Sequence, residues 1–153
     1  MTAPATIEPV RPDDAGTLRD FMTRVIEHSV TREPALRDEL VANVQANLEL
    51  WLADPAPHCH LKAVQGGQLV GVVLVKAHWN LCSLFVEPDR QGRGIGRALV
   101  EAALDACRRQ PVPQPVRLNA APGAVGFYRT LGFRPTTARR PLPEGFEAME
   151  RCP

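Results

Sequence analysis

Several things are scarce in this 153-residue chain, and each scarcity closes off a class of function. The four cysteines, Cys59, Cys82, Cys107 and Cys152, lie far apart and form no CxxC pair, which argues against a disulfide framework or a structural zinc site. No apolar stretch approaches the roughly 18 to 20 residues that cross a bilayer. The opening MTAPATIEPV lacks the basic start and apolar core of a secretory signal, so a reducing cytoplasm is the expected setting. An excess of either charge is missing too. The formal net charge is +1, which gives no general attraction to nucleic acid or to an anionic membrane, and neither is expected as a partner. Lysine is nearly absent: Lys62 and Lys76 are the only two, and arginine supplies every other fixed positive side chain, which reads as compositional bias. Repeats and linker-like segments are lacking as well. The length suits one core but not two, so a single domain over residues 1–153 is expected.

What is there alternates between strand and helix. ATIEPVRPDD reads as a short strand ended by Pro12, with Asp13 or Asp14 as a helix N-cap. Leu18, Phe21, Met22, Val25 and Ile26 then recur at helical spacing, and a second helix is expected over about 34–52, stopped by ADPAP. CHLKAVQ and QLVGVVLVKA around Gly66-Gly67 predict a hairpin, and NLCSLFV a third strand. A helix with Ile95, Leu99, Ala102 and Ala106 on one face follows the glycine-rich stretch. PVPQPV is a stiff connector, VRLNA a strand, GAVGFYRTLGF a helix capped by Gly132, and GFEAMER a last strand. The order predicts an α/β fold with a mixed central sheet flanked by helices.

The densest signal is EPDRQGRGIGRALVEAAL, residues 87–104, where Gly92, Gly94 and Gly96 alternate among Arg90, Arg93 and Arg97. A strand, a glycine turn and a helix form an anion site, because the first N–H groups of a helix lack internal partners and carry about half a positive charge between them. A pyrophosphate is the natural guest. No lysine is near enough for a Walker loop. A dinucleotide fingerprint counted from Gly94 finds Leu99 where the third glycine belongs, and no acidic residue ends VRLNA.

Gln91-x-x-Gly94-x-Gly96 does resemble the Q/R-x-x-G-x-G/A motif of the GNAT superfamily of N-acetyltransferases, whose loop holds the pyrophosphate of acetyl-CoA. LFVEPDRQGRGIGRAL resembles the family's strand, loop and helix as a block, with Val86 and Pro88 ahead of the glycines. NAAPGAVGFYRTLGF resembles its second block, here Asn119, Tyr128, Gly132 and Phe133. The resemblance covers nearly the whole chain and implies a single-domain GNAT-like fold with acetyl-CoA as co-substrate and no metal. It implies that Gln91, Gly92, Arg93, Gly94, Ile95, Gly96 and Arg97 hold the pyrophosphate. Leu84, Phe85 and Val86 would offer backbone groups to the pantetheine amides and one N–H to the thioester carbonyl. Asn119 would bond to the pantetheine or the following loop, or else simply end its strand. Tyr128 would protonate the departing thiolate; a tyrosine pKa of about 10 keeps it protonated at neutral pH.

The general base stays open. An alkylamine of pKa about 10.4 is neutral in about one molecule in 2,500 at pH 7. Relatives often carry a glutamate on the strand before the loop, where this chain has Asn80 and Cys82. Strand alternation would put Val86, Leu84, Cys82, Asn80 and His78 on one face. His78, Glu27, His28, Glu33 or a chain of waters are the candidates. Cys82 reads as a small buried hydrophobe rather than an acyl carrier, and the His58-Cys59-His60 run as a hairpin edge without a third metal ligand.

The expected activity is acetyl transfer from acetyl-CoA to an amine by direct attack in a ternary complex. The rivals are a CoA-binding sensor or scaffold without catalysis and, more distantly, a nucleotide-binding oxidoreductase domain. A small-molecule or peptide amine is the expected partner, with a homodimer also open. The two N-terminal helices, the strand near His78 and the segment RRPLPEGFEAM should contact the acceptor. Trp51 and Trp79 belong either to that pocket or to the core. Near-neutral charge argues against a polycationic acceptor, although the acidic helix EPALRDEL would suit one.

Overall fold

A computed structural model describes residues 3–153. Seven strands form one sheet in the order β1-β2-β3-β4-β5-β7-β6. They are β1 (Thr6–Pro9), β2 (Cys59–Gln65), β3 (Gln68–Lys76), β4 (Asn80–Val86), β5 (Val116–Ala120), β6 (Arg134–Pro135) and β7 (Glu147–Arg151). Only β4 and β5 run parallel; every other neighbouring pair is antiparallel. The α/β architecture and the Gly66-Gly67 hairpin are as expected. The two-residue β6, invisible as a pattern in the sequence, adds an edge beyond β7.

Helices cover both faces because β3, an interior strand, is apolar on both. On one face lie α1 (Ala15–Val25), its π-helical continuation Ile26–Val30, and α2 (Pro34–Ala53). Leu18, Phe21, Met22 and Val25 recur on one side of α1 and meet Val72 and Leu74 of β3 together with Leu48 and Trp51 of α2. On the other face lie α3 (Ile95–Arg108) and the short α4 (Val125–Thr130). The buried stripe of α3 is Ile95, Leu99, Val100, Ala103, Leu104 and Cys107. Ala102 and Ala106 are only half-buried, so the stripe sits one position round from the expected one, where the larger side chains are.

Asp14 precedes α1 as expected but its carboxylate does not cap it. One oxygen instead accepts the Arg11 N–H at 2.8 Å and the Lys62 ammonium at 2.9 Å. Two of the strand connections shape the site. Ala77 and His78, both at positive φ, turn the chain tightly from β3 into β4. Within β4 the register slips: Leu74 faces Ser83 but Val75 faces Leu81, leaving Cys82 as an unpaired bulge residue.

Candidate functional site

Beyond one registered pair, Asn80 with Arg117, the parallel strands β4 and β5 separate. β5 stays paired with β7 along all five residues on its other side, so β4 and β5 open into a wedge toward their C-terminal ends. At that opening the chain leaves β4 through the glycine loop and enters α3. The first N–H to find an intrahelical acceptor is that of Ala98, on the Gly94 carbonyl at 3.0 Å, so the preceding amides at the helix start face outward. Gly92 and Gly94 adopt φ of +77° and +85°, and a Cβ at either would stand in open space. The sequence therefore builds a concave cradle of amides with no side chains over it.

A cavity of about 380 Å³ adjoins this cradle. Leu84 and Val86 line it from β4, Arg90, Gln91 and Arg97 from the loop and helix start, and Phe127 and Tyr128 from α4. Size, apolar walls and an amide-lined end suit a thioester arm attached to a pyrophosphate. Gly96 lets the first turn of α3 approach α4 closely: a Cβ there would sit 3.4 Å from the Phe127 ring. Phe127, which sequence reasoning did not single out, thus joins the wall to the cradle.

Tyr128 is buried against Phe127 and Phe133, both edge-on, at 5.1 and 5.6 Å between ring centres. Burial raises its hydroxyl pKa above the ordinary tyrosine value, so it stays protonated. Gln91 donates its side-chain amide to the Val86 carbonyl at 3.2 Å and so ties the loop to the strand end. Arg90 is bonded to Gln65 across the sheet. Of the loop arginines, Arg97 borders the cavity with an exposed side chain, whereas Arg93 is exposed and outside the lining.

Four of the residues singled out in the sequence do not line this cavity. Ile95 is the first residue of α3; its side chain is buried in the core, and its backbone N–H is among those at the helix start. The Phe85 side chain joins the core on the α1–α2 face, as does Cys82, so only its backbone is left for the contact expected of it. Asn119 lines a separate cavity on the α1–α2 face of the sheet, because it alternates with Leu118 and Ala120, which enter the α3 core. His78 sits in the turn at the start of β4, lining a pocket with Gln110 and Pro111, roughly 20 Å along the strand from Leu84. It is thereby removed as a base for chemistry at the wedge. The expected one-sided series from Val86 to His78 also breaks at the bulge: Leu81, Leu84 and Val86 join the α3 core, Cys82 the other.

Of the remaining base candidates, Glu27 and His28 share a surface pocket with Arg24, next to Glu87. Arg24 grips Glu87 with two bonds of 2.7 Å, fastening the end of α1 to the end of β4. That bond holds the Glu87 carboxyl below its ordinary pKa, so this carboxylate is a poor proton acceptor. Glu33 precedes α2 and is exposed. The Cys82 thiol lies within 3.6 Å of the Leu74 carbonyl and burial raises its pKa, which disfavours thiolate. Trp51 is core, edge-on to His60 at 4.5 Å, while Trp79 lines the second cavity. His58 accepts the Ala77 N–H at 2.9 Å and so steadies the β3–β4 turn.

A sequence model described as an acetyltransferase (GNAT) domain matches residues 45–146. The chain is 32% identical over 127 residues to serotonin N-acetyltransferase 2, chloroplastic, of rice (Oryza sativa subsp. japonica), covering 78% of this chain and 56% of that protein. It is 30% identical over 99 residues to the [ribosomal protein bS18]-alanine N-acetyltransferase of Escherichia coli K12, covering 59% of this chain and 66% of that one. The matches thus span less than two thirds of either relative. In three dimensions it is similar to the PaiA N-acetyltransferase of Thermoplasma acidophilum, solved in complex with coenzyme A. The TM-score is 0.78 at 15% identity, over 98% of this chain and 99% of that one. At such identity the likeness is one of fold.

Proposed function

The chain belongs to the GNAT acetyltransferase family, and on that premise we propose that it is an N-acetyltransferase, a single domain that moves an acetyl group from acetyl-CoA to an amine. The observation that carries this is the coincidence, at one end of the sheet, of the β4–β5 wedge, the amide cradle and the cavity wall bearing Tyr128. The amides at the start of α3, with Arg97 beside them, hold the pyrophosphate. Val86 and Leu84 line the path of the pantetheine, and a backbone N–H of the splayed β4 end is the donor toward the thioester oxygen.

The amine attacks the thioester carbon; its C–N bond forms as the C–S bond breaks. Tyr128 faces the departing sulfur. A thiol pKa of about 8.5 lies below that of tyrosine, so outright transfer of the phenolic proton is uphill. Tyr128 therefore acts by donating a hydrogen bond to the sulfur, and completes the transfer only as the proton shed by the amine replaces its own. A different proton, the one the ammonium form of the acceptor loses before it attacks, leaves toward water past Glu27 and His28, since Glu87 is occupied by Arg24.

The test follows free thiol release from acetyl-CoA across a panel of amines. Tyr128→Phe keeps the packing and removes only the donor, so kcat should fall by about 10²–10⁴-fold at similar acetyl-CoA affinity. Equal rates in the two proteins would remove Tyr128 from the chemistry. No amine-dependent release, with acetyl-CoA still bound, would favour the CoA-binding sensor or scaffold.

A further inference from the structure

Resting on the acyl-transfer reading above, we propose that the acceptor is an amine that also carries a carboxylate or phosphate, and that an arginine-rich cavity beside the wedge holds this anionic group. The cavity measures about 160 Å³ and lies between the start of β4, β5 and the segment joining β6 to β7. Trp79, Asn80, Arg117, Asn119, Arg139 and Arg140 line it. Three guanidinium groups and two amides thus converge, with no carboxylate among the lining residues described. On a chain of net charge +1 this concentration is local, not general.

Two of the three arginines, Arg117 and Arg139, are positioned rather than merely close. Arg117 donates to the Thr137 carbonyl at 2.7 Å, which fixes its plane. Its other terminal nitrogen is 4.0 Å from Glu150, a carboxylate already accepting the Thr136 hydroxyl at 2.7 Å. One bordering negative charge therefore faces three positive ones. Arg139 stacks over the Trp79 ring at 4.8 Å, which orients a planar fork with its donors still available. Such forks match the two oxygens of a carboxylate or phosphate. The cavity is on the sheet face that α1 and α2 cover, opposite the α3 core. Asn119 lies two residues beyond the pair at Asn80 and Arg117 where the strands begin to part. By strand rise, its level is about 7 Å short of Leu84 in the wedge. An amine a few bonds from its anionic anchor spans that distance. A polyamine would meet like charge at the same place.

The experiment pairs amines that differ in charge, using the full chain with acetyl-CoA: β-alanine against β-alaninamide, O-phosphoethanolamine against ethanolamine, and spermidine as the polycation. The anionic member of at least one pair should show kcat/KM about tenfold or more above its neutral partner, and the pair concerned identifies carboxylate or phosphate. Arg139→Gln and Arg140→Gln should each raise KM for that member about tenfold without changing KM for acetyl-CoA, and Arg139→Lys should recover part of the loss. Equal values within both pairs, or a preference for spermidine, would overturn the proposal and leave acyl transfer standing. If no amine is acetylated, Trp79 fluorescence decides against the constant background of buried Trp51. A saturable change with glutarate or inorganic phosphate, lost in Arg140→Gln, would support the anion site, and no change would sink it.

Discussion

Gly94 concentrates at one residue what the cradle needs. Its φ of +85° lies where an L side chain strains the backbone, and its missing Cβ leaves the space before α3 open. Gly94→Ala should cost about 1–2 kcal/mol of stability from the backbone alone. It should also weaken acetyl-CoA binding, because the new methyl would stand where the anion approaches. Thermal unfolding with and without ligand separates the two effects. Ligand at 100 times its Kd adds about 2.7 kcal/mol, and a tenfold weaker site leaves about 1.4. Residue types at this scale were largely readable beforehand, since glycines and a tyrosine at family spacing can be counted along the chain. What they touch was not: Gln91 fastens the loop to Val86, and Asn119 turns its back on the cavity beside the cradle.

Elements are held at fixed distances by small residues and by register. Gly71 of β3 lies directly under α3. A Cβ there would meet Leu99 Cδ1 at 2.8 Å, Ile95 Cγ2 at 3.2 Å and the Phe85 carbonyl oxygen at 3.3 Å. Leu99 can swing aside, but the carbonyl belongs to β4 and cannot. Gly71→Ala should therefore destabilise by about 1–3 kcal/mol, read from urea midpoints at constant m. Retained acetyl-CoA affinity in the folded fraction would show that the cradle moves little. Helical and strand periods announced most elements, because apolar side chains must repeat at 3.6 or 2 to face one core. The bulge at Cys82 carries no such signal. It depends on how β3 and β4 pair, and it alone moves Cys82 off the face it would share with Leu84.

Across the whole molecule, the α1–α2 face buries a histidine between layers. His60 lies edge-on to Trp51 with Nδ1 unpartnered among the described residues, and burial lowers its pKa to about 4. The unfolded chain, with a histidine near 6.5, binds this proton first, so the fold is favoured fully above about pH 6.5. That advantage drains away as pH falls from 6.5 to 4, and the shift corresponds to about 3 kcal/mol. His60→Phe, measured by urea unfolding from pH 7 to 4, should flatten this part of the curve relative to the parent. An unchanged slope would mean that His60 accepts a proton in place, through water at Nδ1.

The sequence by itself determined the kind of protein: one α/β sheet, the strand–loop–helix cradle and Tyr128 beyond it. These depend on neighbours in the chain, where spacing, glycine φ and helix polarity act over a few residues. The tertiary structure alone decided what the site faces. The wedge exists because β5 holds to β7 and lets go of β4. The arginine cavity exists because residues 79, 117 and 139 meet across two crossovers. Such meetings are set by packing between distant segments, and no local period or motif encodes them.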